Sequence, residues 1–210
     1  MGQALPHPRS GAAWAGRRIG LLGGSFNPAH DGHRHISLFA LRVLRLDQVW
    51  WLVSPQNPLK PAAGMAALAT RLAGARTVAR HPRIVVSDLE ARLGTRYTVD
   101  TLGQLAGRYA RTRFVWLIGA DNLSQMPRWR HWRRLFERMP VAAFNRPPYS
   151  LQALTGPAAR RYARRRVGAA QAGRLADLPP PAWVFLNSPE HPASATAIRQ
   201  RQRRQHEVEP

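Results

Sequence analysis

The chain contains no cysteine and a single lysine, and only 11 of its 210 residues are acidic. The lack of cysteine excludes disulfides and thiolate metal sites. No apolar stretch reaches the roughly 18 residues that a membrane-spanning helix needs. Residues 1–17 mix Pro, Gly and Arg with a short Ala-Trp-Ala run and lack the longer apolar core of a secretory signal. They read as a flexible tail ahead of one domain over 18–205, in a soluble cytoplasmic protein. The shortage of acid leaves a net charge of +21. That favours anionic partners: nucleic acid, acidic membrane or phosphorylated small molecules. All basic residues except Lys60 are arginine. Such a bias often follows the base composition of coding DNA, so total charge is a weak guide to function.

What is present is a regular alternation. Apolar runs at Arg18–Leu22, Val49–Val53, Ile84–Val86, Phe114–Ile118, Val141–Phe144 and Trp183–Leu186 are continuous, as in strands buried on both faces of a parallel sheet. Helical patterns lie between them. Ile36, Phe39, Ala40, Val43 and Leu44 form one stripe. Met65–Arg80, Thr98–Arg111 and Trp129–Met139 read as further helices. Repeated strand–helix–strand units predict an α/β fold with an open, doubly wound, mostly parallel Rossmann-like sheet flanked by helices. Ligands in such folds sit at the carboxyl ends of the strands. Residues 158–181 break the pattern. Arg160, Arg161, Arg164, Arg165, Arg166 and Arg174 suggest a solvated basic helix or a mobile excursion, followed by a Pro-rich connector.

Five segments carry chemistry. Directly after the first strand comes Gly23-Gly24-Ser25-Phe26-Asn27-Pro28-Ala29-His30-Asp31-Gly32-His33. Its glycines allow a sharp turn and close approach to a ligand. A helix beginning near His33 would offer free amides to an anion. His30 and His33 can both point into one pocket and donate to phosphate oxygens. A metal pair or ordinary loop histidines are the alternatives; a metal pair lacks a third ligand at useful spacing if Asp31 caps the helix, and loop histidines alone do not explain the glycines. After the second strand, Ser54-Pro55-Gln56-Asn57-Pro58-Leu59-Lys60 holds the only lysine, a compact ammonium suited to phosphate. Arg96-Tyr97-Thr98-Val99-Asp100-Thr101 opens a helix that Thr98 can cap. Gly119-Ala120-Asp121-Asn122 follows the fourth run; Asp121 can accept two ribose hydroxyls or serve as an N-cap. Arg128 and Arg130 read as surface residues, with contact to an acceptor phosphate as the alternative, and Trp132 as packing. In Ala193-Ser194-Ala195-Thr196-Ala197-Ile198-Arg199, Ser194 or Thr196 caps a helix, and Arg199 could grip a polyphosphate.

The first segment resembles the signature of the HxGH nucleotidyltransferases, and its flanks resemble nicotinate-nucleotide adenylyltransferase, from Ile19 to about Arg199. The resemblance implies a Rossmann-like nucleotidyltransferase fold and adenylyl transfer from ATP to nicotinate mononucleotide, giving deamido-NAD and pyrophosphate. It implies that His30 and His33 bind the triphosphate and stabilise the transferring phosphoryl group, with Lys60 near the ATP phosphates. Gly23, Gly24, Ser25, Phe26, Gly119, Asp121, Ser194 and Thr196 would complete the ATP site, with Arg199 on the polyphosphate. Tyr97 and Thr98 would form the nicotinate pocket, and Trp129 would stack on the ring. Asn27 stands where many relatives carry Asp, Ala193 replaces an isoleucine, and Ala195 stands where serine is frequent. Mg²⁺ would ride on the phosphates. Rival acceptors are nicotinamide mononucleotide, phosphopantetheine and choline or glycerol phosphates. Outside the class, the rival is a basic nucleic-acid-binding protein. It lacks support from any recognition helix or exposed aromatic platform.

Overall fold

The computed structural model describes residues 11–56, 64–146, 148–189, 193 and 198. The strands are β1 (Arg18–Gly24), β2 (Gln48–Val53), β3 (Ile84–Ser87), β4 (Arg113–Gly119), β5 (Val141–Phe144), β6 (Arg166–Val167) and β7 (Trp183–Leu186). The helices are α1 (Asp31–Val43), α2 (Leu68–Ala79), α3 (Leu89–Arg92), α4 (Thr98–Arg108), α5 (Ala120–Gln125), α6 (Trp132–Arg138), α7 (Ser150–Thr155) and α8 (Pro157–Arg161). The seven strands form one sheet in the order β3-β2-β1-β4-β5-β7-β6, with every pairing parallel. The order reverses between β1 and β4, which opens a crevice at their carboxyl ends.

The uninterrupted apolar runs are explained by helices on both faces. Trp50, Leu52, Trp116, Ile118 and Phe185 point to one face, where α4, α5, α6 and α8 cover them. Their neighbours Trp51, Val53, Val115, Leu117 and Phe144 point to the other, under α1, α2 and the 3-10 segment Ala169–Asp177. Alternate residues therefore feed two cores, and polar residues are confined to the strand ends and the edge strand β6. The expected stripe of α1 is observed: Ala40 and Leu44 are buried, with Ile36, Phe39 and Val43 packed at the margin. Among the described residues no helix is long and apolar enough to cross a membrane.

Some boundaries differ from expectation. The helix expected over Trp129–Met139 is shorter: it follows a 3-10 turn at Met126–Arg128, His131 adopts φ +50°, and α6 starts only at Trp132. The left-handed His131 breaks the helical path and leaves Trp129 extended. Residues 158–181 are not one basic helix. They form α8, a 3-10 turn at Ala163–Arg165, the edge strand β6 and the segment Ala169–Asp177. That segment docks through Ala172, Leu175 and Ala176, and Asp177 bonds Arg18 and Arg113 at 2.7 Å each. Within the expected tail, Gly11–Trp14 is a 3-10 turn. Trp14 packs edge-on against Trp50 at 5.0 Å, and its carbonyl accepts from Thr112 Oγ1. The apolar Ala-Trp-Ala run thus adds to the core. Trp14→Ala is expected to cost about 2 kcal/mol, measured as a lower urea midpoint at unchanged m-value.

Candidate active site

The crevice is one continuous cavity of about 1020 Å³. It runs along the carboxyl ends of β1, β2, β4, β5 and β7, touching Gly23–Phe26, Ser54, Gly119, Asn145 and Ser188. The expected site residues that the structure describes all line it: Gly23, Gly24, Ser25, Phe26, His30, His33, Tyr97, Thr98, Gly119, Asp121 and Trp129. Lys60, Ser194, Thr196 and Arg199 lie outside the described residues.

At its centre the two imidazoles lie face to tilted face, 3.9 Å between centroids. Helix α1 begins at Asp31, earlier than the expected start near His33, and its N-cap is His30 in extended backbone rather than Asp31. The physical reason is a cap built from the His33 ring. The His30 N–H donates to His33 Nδ1 at 3.2 Å, while the His33 N–H turns back and donates to the His30 carbonyl at 2.9 Å. Because the amide can only donate, Nδ1 of His33 must accept, and the ring proton sits on Nε2. Gly32 is required between them. A Cβ there would come within 2.9 Å of the His30 ring and 3.0 Å of the Ala193 carbonyl.

Aromatic rings back the pair. Phe26 stacks on Trp51 at 5.0 Å and meets His33 at 4.7 Å. Trp51 Nε1 donates to Ser37 Oγ, which donates to the His33 carbonyl, each at 2.8 Å. Phe26 pays for this contact with a left-handed backbone at φ +47°, costly for a bulky residue and held by the stack. Asn27 ties the same loop to Gly64 and Ala66 through its side-chain amide, so the residue that departs from the family pattern has a bracing role.

The far end of the cavity is aromatic and basic. Tyr97, not Thr98, is the cap of α4, and Thr98 is its first helical residue. Thr101 Oγ1 donates to the Tyr97 carbonyl at 3.3 Å and pairs with Thr95 Oγ1 at 2.8 Å, which ties the start of α4 to the preceding loop. Arg130 lies 4.7 Å over the Tyr97 ring. Arg128 and Arg130 are exposed, as expected, yet both also border the cavity, as does Arg96. Trp129 leans on Trp116 at 5.7 Å. Trp132 instead packs on Tyr162, as read from the sequence.

Asp121 is the second residue of α5; Gly119 holds the cap position, so the N-cap alternative for Asp121 falls away. A Cβ at Gly119 would overlap Asp121 Oδ1, so the glycine lets the carboxylate fold back over the strand end. Asp121 Oδ2 meets Arg146 at 3.2 Å, while its Oδ1 is buried with no hydrogen-bond partner among the described residues. Asn145 joins the ends of β5 and β7 by accepting from both the backbone and the hydroxyl of Ser188.

The cytidylyltransferase-like family profile matches residues 21–201. A protein of Parvibaculum lavamentivorans named as a probable nicotinate-nucleotide adenylyltransferase is 55% identical over 186 residues, 89% of this chain and 92% of that relative. One of Cereibacter sphaeroides bearing the same name is 59% identical, over 86% of this chain and 96% of that relative. The chain belongs to the nicotinate-nucleotide adenylyltransferase family. Its fold is shared with a solved Plasmodium falciparum nicotinic acid mononucleotide adenylyltransferase complexed with NaAD, at TM-score 0.65 and 15% identity over 88% of this chain and 83% of the other. A second solved structure, named as a putative nicotinate-nucleotide adenylyltransferase from Vibrio parahaemolyticus, aligns at TM-score 0.51 and 21% identity over 64% and 77%.

Two groups in this family member escape the motif reading. Arg71 is one arginine among many in a helical run, and nothing local distinguishes it. Glu90 had a usable signal in the scarcity of acid: it sits beside apolar Leu89 and lines the cavity. Burial pushes its carboxyl up to about 7, opposed by a hydrogen bond with Ser54. A carboxyl raised in this way favours the fold most below its unfolded value, near 4.5, and loses that contribution as pH climbs through about 7. The wild type is therefore expected to show a falling Tm between pH 5 and 8 that is flatter in Glu90→Gln; parallel profiles would contradict this. Gly32→Ala is expected to keep the fold by circular dichroism and to lose about a hundredfold in turnover, through displacement of His30.

Proposed function

We propose that the protein transfers the adenylyl group of ATP to nicotinate mononucleotide, releasing pyrophosphate and forming nicotinate adenine dinucleotide, as a soluble cytoplasmic enzyme. The close, tilted His30–His33 pair at the head of α1, inside the cleft at the strand-order switch, is the observation that carries the reading. The shared name of relatives at 55–59% identity supports the choice of acceptor. So does the NaAD complexed with the Plasmodium protein of the same fold.

The reaction is an in-line displacement. A phosphate oxygen of the mononucleotide attacks the α-phosphorus, the bond to the pyrophosphate oxygen breaks, and pyrophosphate departs. A phosphomonoester has its second pKa near 6 and is already an anion at neutral pH, so no general base is needed. His33 offers an Nε2–H fixed by its cap, and His30 offers a ring held against it. Both meet charge that grows on the transferring phosphoryl group. Lys60 and Arg199 are assigned to the polyphosphate, with Ser194 and Thr196 beside them. Gly23, Gly24, Ser25 and Phe26 shape the phosphate turn, and Gly119 with Asp121 faces the ribose. Tyr97, Thr98 and Trp129 take the nicotinate mononucleotide, beneath the positive charge of Arg96, Arg128 and Arg130. The described residues contain no cluster of three or more His, Cys, Asp or Glu. Mg²⁺ carried by the phosphates would supply charge neutralisation there.

A chromatographic assay with ATP and either mononucleotide tests the reading. Nicotinate mononucleotide is expected to react much faster than the amide, and His33→Ala to lose about a hundred- to a thousandfold in kcat. Preference for the amide would overturn the acceptor, and near-normal turnover by His33→Ala would overturn the mechanism.

A further inference from the structure

Arg71 lies on α2, does not line the cavity and is 4% exposed. Among the described residues the ion pairs all involve other arginines. Its guanidinium is satisfied by backbone instead. Nε donates to Ala66 O at 2.8 Å, Nη1 to both Ser25 O and Ser54 O at 2.7 Å, and Nη2 to Pro55 O at 2.9 Å. Ser25 belongs to the turn after β1 that leads to His30, and Ser54 and Pro55 begin the stretch after β2. A single nitrogen thus joins the two strand-end loops. Four of five N–H donors are engaged in one plane, a pattern that only a guanidinium can supply. Asn27 reinforces the same junction, donating to Gly64 O at 2.9 Å and accepting from the Ala66 N–H.

Burying a cation without a carboxylate is costly, and four neutral carbonyls recover only part of its lost hydration. Two things follow from keeping it there. Carbonyls held by Arg71 cannot swing into the cleft, where their negative ends would oppose phosphate oxygens. The uncompensated positive charge also acts through a poorly screening interior on whatever anion occupies the neighbouring turn.

We propose that Arg71 is a positioning residue for the triphosphate site. It locks the histidine-bearing turn of β1 to the loop of β2, and its buried charge strengthens ATP binding without touching ATP. The inference rests on the adenylyl-transfer reading above. It is tested with Arg71→Lys, which keeps the charge and loses the fork, and Arg71→Gln, which loses both. Leu72→Ala, the adjacent buried position, is a control for stability alone. Kinetics are measured well below each variant's Tm.

Arg71→Lys is expected to lose about a hundredfold in kcat/KM for ATP while the KM for the mononucleotide stays near wild type. Arg71→Gln is expected to lose more, and only the Arg71 variants should move the His30 and His33 ring signals by NMR. Wild-type ATP kinetics in Arg71→Lys would overturn the proposal. So would an equal loss in Leu72→Ala at matched stability. Were the wild type to make no dinucleotide, the reaction assigned above would fall. Calorimetric ATP affinity across the same variants would still decide Arg71: weaker binding in the Arg71 variants alone supports it, and unchanged binding overturns it.

Discussion

The site depends on one hydrogen bond, from the His30 amide to Nδ1 of His33. It starts the helix, selects the ring tautomer and brings the two imidazoles together in a single arrangement. A glutamate or glutamine at position 33 would satisfy the same amide, but it would place no second imidazole in the cleft. Using histidines as the capping pair makes the start of the helix and the pairing of two imidazoles at the cleft the same structural event. The absent side chain of Gly32 is what leaves room for it.

Everything around that bond limits its freedom. Phe26 and Trp51 back the His33 ring, and Ser37 links Trp51 to the His33 carbonyl. Trp51 is itself part of β2, so the geometry of the sheet passes to the imidazoles through side chains in van der Waals and hydrogen-bond contact. On the opposite rim, Asn145 and Ser188 bind the ends of β5 and β7. The cleft therefore has walls belonging to strands on both sides of the switch in order.

The alternation of strands and helices was legible because both faces of the sheet are covered, which makes each central strand uniformly apolar. The glycine-histidine segment was legible because its residue types are otherwise hard to explain together. Less could be read where context decides. Thr98 has the chemistry of a cap, yet the backbone turns one residue earlier and Tyr97 takes the place. His131 gives no sequence warning of its left-handed conformation, so the helix after Trp129 looked continuous. β6 is two residues long and lies in an arginine-rich stretch, with no apolar run to announce it. Arg71 was hidden by abundance: in a chain with 32 basic residues, the one buried among carbonyls looks like the rest.

The brevity of β6 matters for how these molecules meet one another. It is the outermost strand on its side of the sheet, and exposed Arg164, Arg165 and Arg166 stand at its start. An unpaired strand edge invites a stranger's backbone to continue the ladder. Here a second copy approaching edge to edge would have only two residues to pair with, and would bring its own guanidinium groups against these. Like charge therefore opposes extension of the sheet past β6.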